Sequence, residues 1–144
     1  MNIKRRILFV DDDARLLLAV EISLRRDRQR WDMVFALGGQ RGLDEARKAP
    51  FDVVVSDMGM PEIDGVALLG AIKNERPSTV IMMLSAHADA AVLCQLPQLF
   101  RLLSKPCTAA TLRDAIECSI ASIDSVESPL RTPRDAGKTQ TEEC

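Results

Sequence analysis

Aromatic residues make up only 3% of this 144-residue chain. A core built on packed rings is therefore excluded, and Leu, Val, Ile, Ala and Met must fill it. Cysteines are few and scattered: Cys94, Cys107, Cys118 and Cys144 form no Cys-x-x-Cys pair. That spacing argues against a zinc site or a disulfide framework and fits a reducing, cytoplasmic setting. No apolar run approaches the roughly 18 residues a membrane span needs. The basic amino terminus leads into apolar residues 7–10 only, and Asp11 then ends the run, so it does not read as a signal peptide. A formal net charge of −2 offers no general attraction to nucleic acid or to an acidic membrane surface. The basic runs at 4–6 and 25–30 read as solvated edges and helix faces. No internal repeat is visible beyond an alternation of strand and helix.

What is present suits one globular domain: 47% hydrophobic and 28% charged residues, in a chain long enough to bury a core unaided. Five short apolar runs read as strands: 7–10, 31–36, 53–55, 79–84 and 99–103. Between them lie helical patterns. Leu16, Leu17, Val20 and Leu24 recur at helical spacing after Asp11-Asp12-Asp13, a triplet that on its own reads as a helix cap. Gly38-Gly39 precedes a helix over 40–48, Asp64 caps one over 64–72, a short one spans 89–96, and Thr108 caps a last one to residue 123. That last helix has Leu112, Ile116 and Ile120 on its buried side. Strand and helix alternating in this way predict an α/β fold, a five-stranded parallel sheet with helices on both faces. Domain 1–124 is followed by a polar segment, 125–144, whose Ser, Thr, Pro, Gly and charges predict disorder.

In a parallel sheet every strand's carboxyl end lies on one edge, where such folds bind ligands. Asp11 to Asp13 follow the first strand, Asp57 the third, Ser85 the fourth and Lys105 the fifth. Carboxylates, a hydroxyl and an ammonium therefore share one crevice. At ~4 Å and an effective dielectric of ~20, each like-charge contact costs about 4 kcal/mol, which a divalent cation offsets. An all-oxygen donor set suits Mg²⁺ rather than zinc. A carboxylate can also serve as nucleophile toward phosphorus, with Mg²⁺, Lys105 and the Ser85 hydroxyl each covering one phosphoryl oxygen.

Asp11-Asp12, the run Asp57-Met58-Gly59-Met60-Pro61-Glu62-Ile63-Asp64-Gly65, Ser85-Ala86 and Lys105-Pro106 together resemble the receiver domain of two-component response regulators, over residues 4–123. The resemblance implies a flavodoxin-like (βα)5 fold with strand order 2-1-3-4-5. It implies that Asp57 is the phosphoacceptor, that Asp11, Asp12, Asp57 and the Gly59 backbone carbonyl hold Mg²⁺, and that Lys105 and Ser85 contact the phosphoryl group. It further implies a phosphosignalling domain rather than an enzyme acting on other substrates. A sensor histidine kinase or a histidine phosphotransfer protein would supply the phosphoryl group. The helix 4, strand 5 and helix 5 surface would change for a downstream protein, with no direct DNA binding, no membrane contact, and a homodimer left open.

Two positions depart from the family's usual form. Leu102 stands where an aromatic switch residue is common, and Phe100, on the same strand face by residue parity, is the nearest substitute. Cys107 follows Lys105-Pro106 in place of a phenylalanine and reads as a small buried hydrophobe. His87, the sole histidine, reads as a loop residue at the rim. The methionines read as packing. Two alternatives stand beside the receiver reading. One is a phosphate-independent binding module on the same fold. The other is a phosphatase of the haloacid-dehalogenase type, in which Asp11 is the nucleophile and Asp57 is idle.

Overall fold

The structure, a computed structural model, describes residues 4–86 and 90–127. The elements in order are β1 (Arg5–Asp11), α1 (Ala14–Ser23), a 3-10 turn (Arg25–Gln29), β2 (Trp31–Leu37), α2 (Gly39–Lys48), β3 (Val53–Asp57), α3 (Gly65–Glu75), β4 (Val80–Ser85), α4 (Ala90–Gln95), β5 (Arg101–Ser104) and α5 (Ala109–Glu127). All strand pairs are parallel and the order is β2-β1-β3-β4-β5. Among the described residues no helix is long and apolar enough to cross a membrane.

Strand side chains alternate between faces, and the alternation divides the core in two. Leu8, Val10, Val54, Ile81 and Met83 pack with Leu43, Leu68, Leu69, Ile72, Val92 and Leu96, which places α2, α3 and α4 on one face. Ile7, Phe9, Val53, Val55, Met82 and Leu103 pack with Leu24, Leu112, Ala115 and Ile116, which places α1 and α5 on the other. Phe9 and Phe35 stack at 5.0 Å between ring centroids; most of the remaining packing is aliphatic, as the composition requires.

Helix α1 departs from its predicted burial. Only Leu17 and Val20 along it pack against the core, with Leu24 fully buried just past its end. Leu16 is 41% exposed, and Leu18 and Ile22 are 56% and 54% exposed. The helix touches the sheet through the narrow strip 17, 20, 24, so Leu16 falls outside it. Leu112 and Ile116 are buried as predicted and Ile120 is half-buried. Helix α5 also outruns its predicted end at residue 123 and crosses the expected boundary at 124, reaching Glu127. Ile123 still packs on the core and Asp124 pairs with Arg5, so the helix keeps partners past the change in composition. Positions 128–144 lie outside the described residues.

Several arginines of the basic runs are ion-paired, while Arg25 and Arg26 are exposed as expected. Arg5 meets Asp52 at 3.1 Å, and Arg6 meets Asp32 at 3.0 Å. Asp27, in the midst of arginines, is 7% exposed and accepts from Arg30 and Arg113, while Arg30 also reaches Glu117 at 2.7 Å. Cys94 and Cys107 are free thiols. Cys118 is disulfide-bonded, which the cysteine spacing did not lead one to expect.

Candidate functional site

Each strand delivers its polar residue where its ladder ends. Val10 pairs with Ser56, Asp57 with Leu84, and Ser85 with Ser104, so the carboxyl ends of β1, β3, β4 and β5 lie in register along one edge. Ladder bonds continue just past the strands: Met58 N–H donates to Leu84 O at 3.0 Å and Lys105 N–H to Ser85 O at 2.8 Å. Asp64 caps α3 by accepting from Ala67 N–H at 2.8 Å, as the sequence predicted. The turn between β3 and α3 closes with Gly65 N–H donating to Met58 O at 2.8 Å.

The structure brings Asp11, Asp12 and Asp57 together, with one carboxylate oxygen of each within 4.8 Å of the others. Asp11 and Asp57 are buried, at 5% and 6% exposure, while Asp12 faces solvent. Lys105 Nζ lies 2.8 Å from Asp57 Oδ1 and 3.4 Å from Asp11 Oδ2. Asp13 turns away to cap α1, accepting from Arg15 N–H at 2.9 Å, and its own N–H donates to Asp11 Oδ1 at 2.9 Å. One member of the triplet thus caps the helix, while the other two join the carboxylate cluster. Gly59 is exposed beside the cluster, and a Cβ there would meet nothing within 4 Å, so any contribution it makes is by its backbone.

The electrostatics follow from this crowding. Burial raises the Asp11 pKa, opposed by the Asp13 N–H; the Asp57 charge raises it further. Burial alone would lower the Lys105 pKa, but its hydrogen bond to Asp57 and the charges of Asp11 and Asp57 prevail and raise it. One ammonium thus faces three carboxylates. The uncompensated negative charge, the all-oxygen donors and the solvent-open side at Asp12 fit a hard divalent cation.

The same charge bookkeeping makes a prediction. Because the folded-state pKa of Asp11 is raised, ionising it opposes folding, and its contribution to stability falls as pH rises through the carboxylate range. Asp11→Asn should therefore raise the urea midpoint in metal-free buffer at neutral pH, while shrinking any rise in melting temperature that added Mg²⁺ produces in the wild type. Parallel urea and thermal melts check both signs.

Ser85 is 3% exposed, and its hydroxyl donates to Met58 Sδ at 3.3 Å. Sequence reasoning missed that contact, because Met58 read as packing only; a thioether next to a strand end was the available signal. Leu102 packs on the α2–α4 side of the sheet, whereas Phe100 packs on the α1/α5 side. Phe100 thus cannot stand in for an aromatic at 102, since it precedes β5 and parity does not carry across the strand start. Cys107 is half-buried against the α1/α5 cluster and burial raises its pKa, in keeping with a small hydrophobe. His87 lies outside the described residues.

Comparison with known proteins agrees with this geometry. The family profile of the response regulator receiver domain matches residues 7–117. The transcriptional regulatory protein GlrR of Escherichia coli (strain K12) is 33% identical over 113 residues, covering 77% of this chain but 25% of that protein. A probable chemotaxis protein CheY of Rhizobium etli is 30% identical over 127 residues, covering 83% of this chain and 95% of that one. Among solved structures, a response regulator receiver domain protein from Clostridium thermocellum is 29% identical with a TM-score of 0.76, covering 85% of this chain and 98% of the other. This chain spans between a quarter and a third of the transcriptional regulators GlrR and ZraR that it matches, 25% and 30% of their lengths. With its five parallel strands in the order 2-1-3-4-5 and a family match over most of its length, the chain belongs to the response regulator receiver domains of two-component signalling.

Proposed function

We propose that the chain accepts a phosphoryl group on Asp57, from a histidine of a sensor kinase or phosphotransfer protein, in a Mg²⁺-dependent reaction. The observation that carries this reading is the approach of Lys105 Nζ to 2.8 Å from Asp57 Oδ1, with Asp11 and Asp12 alongside. An Asp57 carboxylate oxygen attacks phosphorus, the phosphorus–nitrogen bond breaks, and its electron pair returns to the imidazole, which takes up a proton. Lys105 is placed to move from the carboxylate to a phosphoryl oxygen and keep its charge paired. Ser85, at the end of β4, can donate to another oxygen. Mg²⁺ held by Asp11, Asp12, Asp57 and the Gly59 carbonyl would supply charge neutralisation. Lys105 stands nearer Asp57 than Asp11, 2.8 against 3.4 Å, which favours Asp57 over Asp11 as nucleophile. Uptake of one phosphoryl group from a small phosphodonor, read by intact mass, tests the proposal.

The surface helices bear on partners. Helix α1 begins directly after the acidic triplet and leaves Leu18 and Ile22, one turn apart on a single face, exposed. A donor protein seated on that apolar face would bring its phosphohistidine over Asp57. Leu18→Glu should slow transfer from a phosphohistidine protein by about tenfold, the effect of about 1.4 kcal/mol at a contact. Uptake from a small phosphodonor, timed on the same protein, should be unchanged. The response would be read downstream on the α4, β5 and α5 surface.

A further inference from the structure

We infer that the Met58 thioether holds the Ser85 hydroxyl in the resting state and so sets how readily that hydroxyl turns toward a phosphoryl group on Asp57. The inference rests on the phosphoacceptor reading above and adds to it a positioning residue. Its basis is the contact of the buried Ser85 Oγ with the half-buried Met58 Sδ at 3.3 Å, at the carboxyl edge of the sheet.

The backbones on either side of this contact are pinned. Met58 N–H is bonded to Leu84 O, and Ser85 O accepts from Lys105 N–H. Turning the hydroxyl therefore requires rotation about the Ser85 side-chain bond, with the strand backbone held in place. Sulfur is a weak acceptor. A phosphoryl oxygen is charged, and a hydrogen bond to it is roughly twice as strong as a neutral one. The bond to sulfur is thus the weaker of the two, and it gives way to a phosphoryl oxygen when the aspartate is modified.

Leu102 makes this contact matter. It has no polar atom with which to follow the hydroxyl, and Phe100 lies across the sheet. Met58 combines an acceptor with an apolar body, and that body packs against the same cluster as Leu102, beside α3 and α4. When Ser85 departs, the thioether loses its donor within that cluster. The local change therefore reaches the α4 and β5 edge through a methionine instead of an aromatic ring.

The test replaces the sulfur while keeping an apolar side chain of similar volume, by Met58→Leu. In the unmodified full chain, three-bond couplings at Ser85 report its side-chain rotamer populations, and they should shift in the variant. Calorimetry with beryllofluoride, a stable phosphoryl mimic, in the presence of Mg²⁺ gives the second readout. Affinity should tighten by about 2- to 5-fold, the range of one modest hydrogen bond. In a Ser85→Ala background the same change should leave affinity unaltered, because the hydroxyl through which Met58 acts is gone. Unchanged couplings, or an equal affinity change in both backgrounds, would overturn the role of Met58 alone. A wild type that binds no beryllofluoride would overturn the Asp57 reading and the role of Met58 with it.

Discussion

Asp57→Asn should leave a folded protein that takes up no phosphoryl group, where the wild type gains one from a small phosphodonor and Mg²⁺. The amide matches the carboxylate in shape, so packing at the end of β3, where the Asp57 residue is 6% exposed, is preserved. What is lost is the anionic oxygen proposed to attack phosphorus and the partner that Lys105 holds at 2.8 Å. Removing the charge also relieves Asp11, whose pKa the Asp57 carboxylate helps to raise. The variant is therefore expected to melt at no lower a temperature than the wild type in metal-free buffer. Intact mass and a thermal melt on the same preparations check both halves. If the variant is labelled as fully as the wild type, the nucleophile lies elsewhere. If neither is labelled under conditions that label another receiver, the phosphate-independent binding module becomes the better reading.

Gly65→Ala should be the most damaging small substitution near the site. A Cβ at this position would stand 2.3 Å from Asp57 O and 2.9 Å from Met58 Cα. Both are backbone atoms at the end of the central strand, and no flexible side chain can yield in their place. Either the amino end of α3 moves outward or the end of β3 shifts, and the bond from Gly65 N–H to Met58 O is strained in both cases. Overpacking of this kind costs about 1–3 kcal/mol, and the backbone character of the clash places this one toward the upper part of that range. Because Asp57 itself carries the displaced carbonyl, phosphoryl uptake should slow as well as the urea midpoint fall. Gly59→Ala is the matched control. A Cβ there meets nothing within 4 Å, so its stability should remain within about 0.5 kcal/mol of the wild type. A Gly65→Ala protein as stable as that control would show that the turn is slack.

These two glycines also mark what could be read from the sequence. The apolar run Val53 to Val55, ending on Asp57, was legible as a central strand because burial on both faces leaves a continuous apolar signature. Given parallel strands, the meeting of Asp11, Asp12, Asp57, Ser85 and Lys105 followed from topology alone. The width of a packing strip was not legible. Periodicity assigns Leu16 to the same side as Val20, but only the tilt of α1 on the sheet decides which of them is covered. Strand parity failed at Phe100 for a related reason, since it depends on where the ladder begins, at Arg101 rather than two residues earlier. Asp27 escaped notice because the arginines beside it in sequence suggested solvent, while Arg113, 86 residues away, helps to bury it. The contact between Ser85 and Met58 was missed because both residues had sufficient reasons to be where they are without it.

The ladder bonds at the carboxyl edge carry a consequence for how such a protein can diverge. Asp57, Ser85 and Lys105 are positioned by main-chain bonds among β3, β4 and β5, which any side chain can make. The exposed residues of α1 and α4, by contrast, take no part in holding them. Drift on the helices can therefore rewrite which proteins the domain hears and addresses, while the reacting groups stay in place. Chemistry and vocabulary are inherited separately, so a family of this kind can multiply its conversations without reinventing the means by which each one is carried.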